Sequence, residues 1–302
     1  ALTTSNLLSS GGNITLGGGA DPLTGNAFGV AGAVEGINLN ASTLNAAGGT
    51  ISLRGRGYTV AGVSNYGIIL QAAAKAQTSG SGTVTLTGTG GAGTNTNYGL
   101  YLTGAGTAIS SVDGAISLTG TAQGSGTSNT GIVVAAAATV RASGTGTVSL
   151  TGQASTSATS SNRGVYLSGA STAVSSVNGA LTITGTGAGT TTTNEGIYLD
   201  TGATVAATGS GAITLTGHAG GTTVQGVYLN QTTAANTVMS AGGMVTLKSN
   251  QTVQLVKAHI ASPTAQAFNI VLNSDLDGNS SGRIALTTSN LLSSGGNITL
   301  GG

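Results

Sequence analysis

The chain has 302 residues, of which 8 are Lys or Arg, 7 are Asp or Glu and 54 are Gly, with a formal net charge of +1. Five per cent charge leaves no basic footprint for a nucleic acid, and a sequence dominated by Gly, Ser, Thr and Asn is poor in helix formers. Two prolines and no every-third glycine exclude collagen, while 38% apolar residues in regular order argue against disorder.

There is no cysteine, so neither disulfides nor a thiolate metal site are available. No run of about 18 apolar residues exists to span a bilayer as a helix. Ala1 is not part of a basic or apolar leader, and the chain reads as an excerpt of a longer one or as a mature segment.

Residues 1–18 read ALTTSNLLSSGGNITLGG, and residues 285–302 repeat the same letters. The simplest account is a tandem array, with one unit over residues 1–284 and the start of the next over 285–302. A cap motif duplicated at the two ends is the other reading.

A shorter period runs inside the unit. Gly-x-apolar-x-apolar recurs as GNITLGG from Gly12, GTISLRG from Gly49, GTVTLTG from Gly82 and GAISLTG from Gly114. It continues as GTVSLTG from Gly146, GALTITG from Gly179, GAITLTG from Gly211 and GMVTLKS from Gly243. The spacing is nearly constant at about 32 residues, within the range of solenoid repeats. Between these stand GINL from Gly36, GIIL from Gly67, GLYL from Gly99, GIVV from Gly131, GVYL from Gly164, GIYL from Gly196 and GVYL from Gly226. A third, weaker apolar point follows at Leu44, Ile109, Val140, Val174, Val205 and Val238.

Alternation of apolar and polar residues predicts strands with one buried face. Val84 and Leu86 point inward, Thr85 and Thr87 outward; Leu100 and Leu102 are expected inside and Tyr101 exposed. No unit has enough apolar surface to fold alone, whereas stacked units bury one continuous core. The expected fold is all-β: a parallel β-solenoid, drawn as a right-handed β-helix, of about 32 residues and three short strands per rung, with Gly at the corners. The whole chain, 1–302, forms a single continuous solenoid segment. Two turns of about 16 residues per unit is the alternative. One turn is preferred because Gly88 to Asn97 (GTGGAGTNTN) offers no apolar side chain, and that stretch is expected to protrude as a loop. Residues 243–296 break the period and read as one or two irregular rungs, with TVQLV and FNIVL as strands.

Two side-chain columns accompany the period. Asn65, Asn97, Asn129, Asn162 and Asn194 each stand two positions before a second-motif glycine and are expected to stack as a hydrogen-bonded ladder, or to serve as left-handed turn residues. Tyr101, Tyr166, Tyr198 and Tyr228 form an interrupted aromatic surface column.

The runs GxITLTG, NxGIYLxxGATV, FNIVLNSDLDGNSSG, ALTTSNLLSSGGNITLGGGADPLTG and GGTISLRGRG resemble the large bacterial β-strand-repeat exoproteins, the filamentous-haemagglutinin-like adhesins exported by two-partner secretion. The resemblance covers nearly the whole chain. It implies a right-handed β-helix, export across the outer membrane and an extracellular or cell-surface life as adhesin or fibre. Its partners would be further copies of the 284-residue repeat in the same chain, laterally associated copies, or glycans of a host or neighbouring cell.

Little in the sequence points to catalysis. Asp21, Glu35, Asp113, Glu195 and Asp200 are spread over several rungs, whereas polysaccharide-active β-helices need clustered carboxylates. Arg163 falls one rung from Glu195 and is expected to form an exposed pair of small value. His218 and His259 have no partner at a metal-ligand spacing. One polar cluster stands out: Asp275, Asp277 and Asn279 in NSDLDGNSSG, which offers oxygens at i, i+2 and i+4 for calcium. It lacks the twelfth-position Glu of an EF-hand, and a plain polar turn is the preferred reading. Asp21 and Asn26 read as turn formers, and Arg54 and Arg56 as a solvated basic spot. No glycine tract is followed by the Lys of a phosphate loop.

The Thr and Ser pairs at 85/87, 117/119, 149/151, 182/184 and 214/216 predict two outward columns, which keep an ice-binding surface among the remote alternatives. The residues favour a non-enzymatic, cofactor-free structural segment, and with the resemblance they imply a bacterial surface fibre, with a ligand- or glycan-binding adhesin module as the second reading.

Overall fold

A computed structural model describes residues 1–302 except Ala61, Thr223 and Val224. Among the described residues there is no helix; the chain forms a 17-stranded and an 11-stranded sheet in which the paired named strands are all parallel. The fold is a parallel β-solenoid. A representative rung runs through strands Val84–Thr89, Leu100–Thr103 and Ala108–Ser111. The next places Ile116–Thr121, Ile132–Ala135 and Thr139–Ala142 directly above them. Val84 pairs with Ile116 and Leu86 with Leu118, each with its own counterpart in the following unit, so each unit makes one turn rather than two. The first strand of every rung builds the 11-stranded sheet, and the second and third share the 17-stranded one.

The inward positions line up as apolar columns. Ile51, Val84, Ile116, Val148, Leu181 and Ile213 form one; Leu53, Leu86, Leu118, Leu150, Ile183 and Leu215 form the next. Leu100 with Ile132, Leu102 with Val134 and Ile109 with Val140 begin three more. These side chains are buried in a single continuous cluster. Each fully buried Val, Leu or Ile contributes about 1.5–3 kcal/mol, and none of that would be realised by an isolated rung.

The glycines do more than turn corners. Gly88 ends the apolar part of its strand, and a Cβ there would lie 2.1 Å from the carbonyl oxygen of Gly99; a Cβ on Gly99 would lie 2.3 Å from the Thr121 nitrogen. Gly120, Gly152, Gly185 and Gly217 meet Gly131, Gly164, Gly196 and Gly226 in the same way. The two sheets thus approach backbone to backbone and pinch the cross-section into a waist.

Beyond the waist lies the stretch expected to protrude. Gly88 and Thr89 instead belong to the strand, and Gly90, Gly91, Gly93 and Asn97 are buried. The segment stacks on its neighbours: Gly91 N–H donates to the Asn65 carbonyl, Thr94 N–H to that of Gly62 and Gly126 N–H to that of Thr94. It is a second, polar lobe of the solenoid. It needs no apolar residue because its interior is filled by backbone and asparagine amides.

The period break has the same explanation. In residues 243–296 the first-sheet strands Val245–Ser249 and Ile270–Asn273 still stack in register, Val245 on Ile270 and Ile270 on Ile298 of the strand Ile298–Gly301 that follows, although less chain separates them than in the regular rungs. Ser249 and Thr252 are separated only by Asn250 and Gln251, so the polar lobe is deleted. TVQLV lies in the strand Thr252–Ala261, and FNIVL supplies Ile270–Asn273. At the other end, Gly17 to Asn26 loop out of the first strand, and Ala27–Phe28 resumes the register against Gly55 and Arg56. Asp21 caps this loop, accepting from Leu23 N–H and Thr24 Oγ1.

Candidate functional site

The outer face of the 17-stranded sheet gathers most of the aromatic rings. Register places Tyr101 beside Val133, Val133 beside Tyr166, and Tyr166, Tyr198 and Tyr228 on successive rungs. Tyr166 and Tyr198 stack at 5.4 Å between centroids, and Tyr198 meets Tyr228 at 5.2 Å. The residue before each second-motif glycine lies next to this column and adds Tyr66 and Tyr98, which the sequence reading did not single out. Tyr66 stacks on Tyr98 at 5.4 Å, and both lie 5.3 Å from Tyr101. Their periodic signal was present but shared the position with Thr130, Arg163, Glu195 and Gln225. The rings are half-buried rather than exposed, because neighbours one rung apart cover each other's faces.

Charge is set into this face. Arg163 Nε donates to Glu195 Oε2 at 2.8 Å, and its guanidinium lies 4.9 Å from the Tyr166 centroid and 4.4 Å from that of Tyr198. The pair expected to be exposed is instead covered, with the Glu195 side chain 4% accessible. Removing one partner would strand the other charge away from water. Tyr166 Oη donates to Asp200 Oδ2 at 3.0 Å, and Asn230 Nδ2 donates to Tyr198 Oη at 3.1 Å. Asp200 Oδ1 is buried without a hydrogen-bond partner among the described residues. A surface cleft lined by Tyr198, Asp200, Asn230, Gln231, Thr232 and Lys257 opens at this end.

Burial raises the pKa of Tyr66, Tyr98, Tyr166, Tyr198 and Tyr228 above the ordinary phenol value, with neighbouring phenols or carboxylates adding to it. The face therefore presents neutral, stacked phenols beside a neutralised ion pair.

The asparagines lie on the opposite side of the waist. Asn65, Asn97, Asn129, Asn162 and Asn194 are all buried. The Oδ1 of each upper residue accepts from the backbone N–H of the residue one rung below: Asn97 from Asn65 at 3.1 Å, Asn129 from Asn97 at 3.0 Å, Asn162 from Asn129 at 2.7 Å and Asn194 from Asn162 at 3.0 Å. Side-chain amides link directly between Asn97 and Asn129 and between Asn162 and Asn194. The left-handed backbone falls not on the asparagines but on the residue before each: Ser64, Thr96, Ser128, Ser161 and Thr193, with φ between 57° and 63°.

The carboxylates and imidazoles stay apart. Asp113 Oδ1 accepts from Thr145 N–H and Oγ1, which holds its carboxyl below the usual range, and Asn178 holds Ser210 in the same way. His218 continues the outward position of Thr186, and His259 Nδ1 accepts from Asn290 N–H. Asp275 accepts from Ser280 N–H, Asn279 Nδ2 donates to Asp277, and Asn279 Oδ1 accepts from Ser281 N–H and Oγ. Asp275 and Asn279 Oδ1 thus accept hydrogen bonds from within the loop, while Asp277 accepts through Oδ2. Among the described residues no group of three or more His, Cys, Asp or Glu comes together.

The outer face of the 11-stranded sheet carries the Thr and Ser columns. Thr85, Ser117, Ser149, Thr182 and Thr214 run in one register, and Thr87, Thr119, Thr151, Thr184 and Thr216 in the other. Arg54 and Lys248 continue the second column at its two ends. Among the described residues no helix is long and apolar enough to cross a membrane. Comparison with protein-family models, with curated proteins and with solved structures returns no match.

Proposed function

We propose that this chain is a structural repeat segment of an extracellular bacterial surface fibre, in which successive 284-residue units continue one solenoid. One observation carries the reading. Ile298 stacks on Ile270, and its counterpart Ile14 carries Ile51, both in parallel register. Repetition of sequence is therefore matched by repetition of place, and a following unit would extend every apolar column. Nine pairings separate the strand of Ile14 from that of Ile298; at about 4.8 Å per rung the unit would advance roughly 43 Å. Stacked strands need neither disulfides nor charge to hold a long rod together, which suits life outside the cell. Cryo-electron microscopy of the native material is the test. Filaments with an axial spacing of about 4.8 Å and a superperiod of roughly 43 Å are expected, and discrete particles would overturn the proposal.

A second reading, adhesion through the tyrosine face, is favoured by the covered Arg163–Glu195 pair and the phenol hydroxyls held by Asp200 and Asn230. The ligand class would be a surface glycan. Substituting Tyr101, Tyr166 and Tyr198 by Ala is expected to abolish adhesion without shortening the fibres. Adhesion that survives the triple change would exclude this face.

A further inference from the structure

We propose that Asn178 is a self-modifying site, whose side-chain amide is attacked by the backbone nitrogen of Gly179 and converted through a cyclic imide to a carboxylate. Asn178–Gly179 is the only Asn–Gly step in the chain, and a residue without a Cβ leaves its nitrogen open to the side chain before it. The fold itself demands this glycine, since a Cβ at 179 would lie 2.0 Å from the Gly146 carbonyl oxygen. Asn178 is exposed, so water reaches the amide. Among the described residues Gly179 N–H donates to nothing, whereas Gly114 N–H, its counterpart two rungs below, is tied to the Gly80 carbonyl.

The rung above supplies the rest. Ser210 N–H and Ser210 Oγ both donate to Asn178 Oδ1, at 3.2 and 3.3 Å. Oδ1 is the atom that gains negative charge when the nitrogen adds to Cγ, so the two donors form an oxyanion cradle. A second copy of the turn shows what such a cradle prefers. Residues 110–114 read SSVDG where 175–179 read SSVNG, and Asp113 Oδ1 accepts from Thr145 N–H and Oγ1 at 2.9 and 3.0 Å. Equivalent donors close in when the oxygen is charged, and they hold the Asp113 carboxyl below its usual range. They therefore favour both the charged intermediate and the carboxylate product, and the fold already accommodates that product at Asp113.

The step needs no co-reactant but water. The bond from Gly179 N to Asn178 Cγ forms, and Nδ2 departs as ammonia with the proton from Gly179 N–H. Water then opens the imide at either carbonyl to give aspartate or isoaspartate, with nothing oxidised or reduced. The product carries one new negative charge. With 8 Lys or Arg against 7 Asp or Glu, one event takes the formal net charge from +1 to zero.

The test follows the whole chain at mildly alkaline pH, folded and unfolded in guanidinium, by peptide mass spectrometry. The folded chain is expected to gain one mass unit at Asn178 and to focus with an Asn178→Asp chain on an isoelectric gel. Ser210→Ala removes one of the two cradle donors and should slow the folded reaction roughly fivefold, with no change in guanidinium. Ser210→Thr restores the donor, as Thr145 does for Asp113, and should react like the unmodified chain. Circular dichroism confirms that each variant is folded. A folded chain that keeps its amide at Asn178 would overturn the proposal, because the turn would then hold Gly179 N away from Cγ. So would a folded Ser210→Ala chain that reacts as fast as the unmodified one, because the conversion would then belong to the dipeptide alone.

Discussion

Asn129→Ala tests whether the polar lobe is held by its ladder or merely carried along by the apolar core. Asn129 Oδ1 accepts from both the backbone N–H and the side-chain Nδ2 of Asn97, each at 3.0 Å, while its own Nδ2 donates to the Thr94 carbonyl at 2.9 Å. Both asparagines are fully buried. Truncation leaves two buried donors on Asn97 unmet, and each such group costs about 1–3 kcal/mol. The Thr94 carbonyl belongs to an exposed residue and can turn to water. A loss of about 2–4 kcal/mol is therefore expected. Asn65→Ala is the matched control: Asn65 makes a single long side-chain donation, to Val60 at 3.4 Å, and its loss should cost under about 1 kcal/mol. Denaturant unfolding of both variants gives the difference. Hydrogen exchange at the Asn97 amide gives the local effect, expected to quicken about 30-fold or more. Equal costs for the two variants, or an unchanged Asn97 amide, would refute the argument and return the lobe's stability to the core.

Three further outcomes follow from the geometry. Gly152→Ala would set a Cβ 2.1 Å from the Gly164 carbonyl oxygen at the waist and should cost about 1–3 kcal/mol in a thermal melt, whereas Gly301→Ala meets nothing within 4 Å and should be silent. Thr96→Gly should stabilise the fold by about 0.5–1 kcal/mol, read as a higher denaturant midpoint, because a β-branched residue is held there at φ 62°. The tyrosines set the alkaline limit. Their pKa values are raised in the folded chain, so above the ordinary phenol value the unfolded chain loses protons first and stability falls as pH rises. Tyr98→Phe should move the alkaline unfolding midpoint, followed by circular dichroism and tyrosinate absorbance, to higher pH.

The repeating letters determined the architecture. Apolar residues at Val84 and Leu86, at Leu100 and Leu102 and at Ile109, returning once in every unit, leave parallel stacking as the only way to bury every one of them. The Asn column was equally legible, since a buried polar side chain repeated at fixed phase must be met by its own copies. Only the tertiary structure could decide the shape of the cross-section. The glycines of LTG and GIYL look like turn residues one at a time, and their role as a waist exists only once two strands distant in sequence press together. The lobe from Gly90 to Asn97 lacked the hydrophobic signal that pattern reading depends on, because its interior is backbone and amide. Arg163 and Glu195 read as a surface pair until Tyr166 and Tyr198, brought alongside by the stacking, covered them. Periodicity reports which residues lie above one another along the axis; which residues meet across a rung is fixed only when the turn closes.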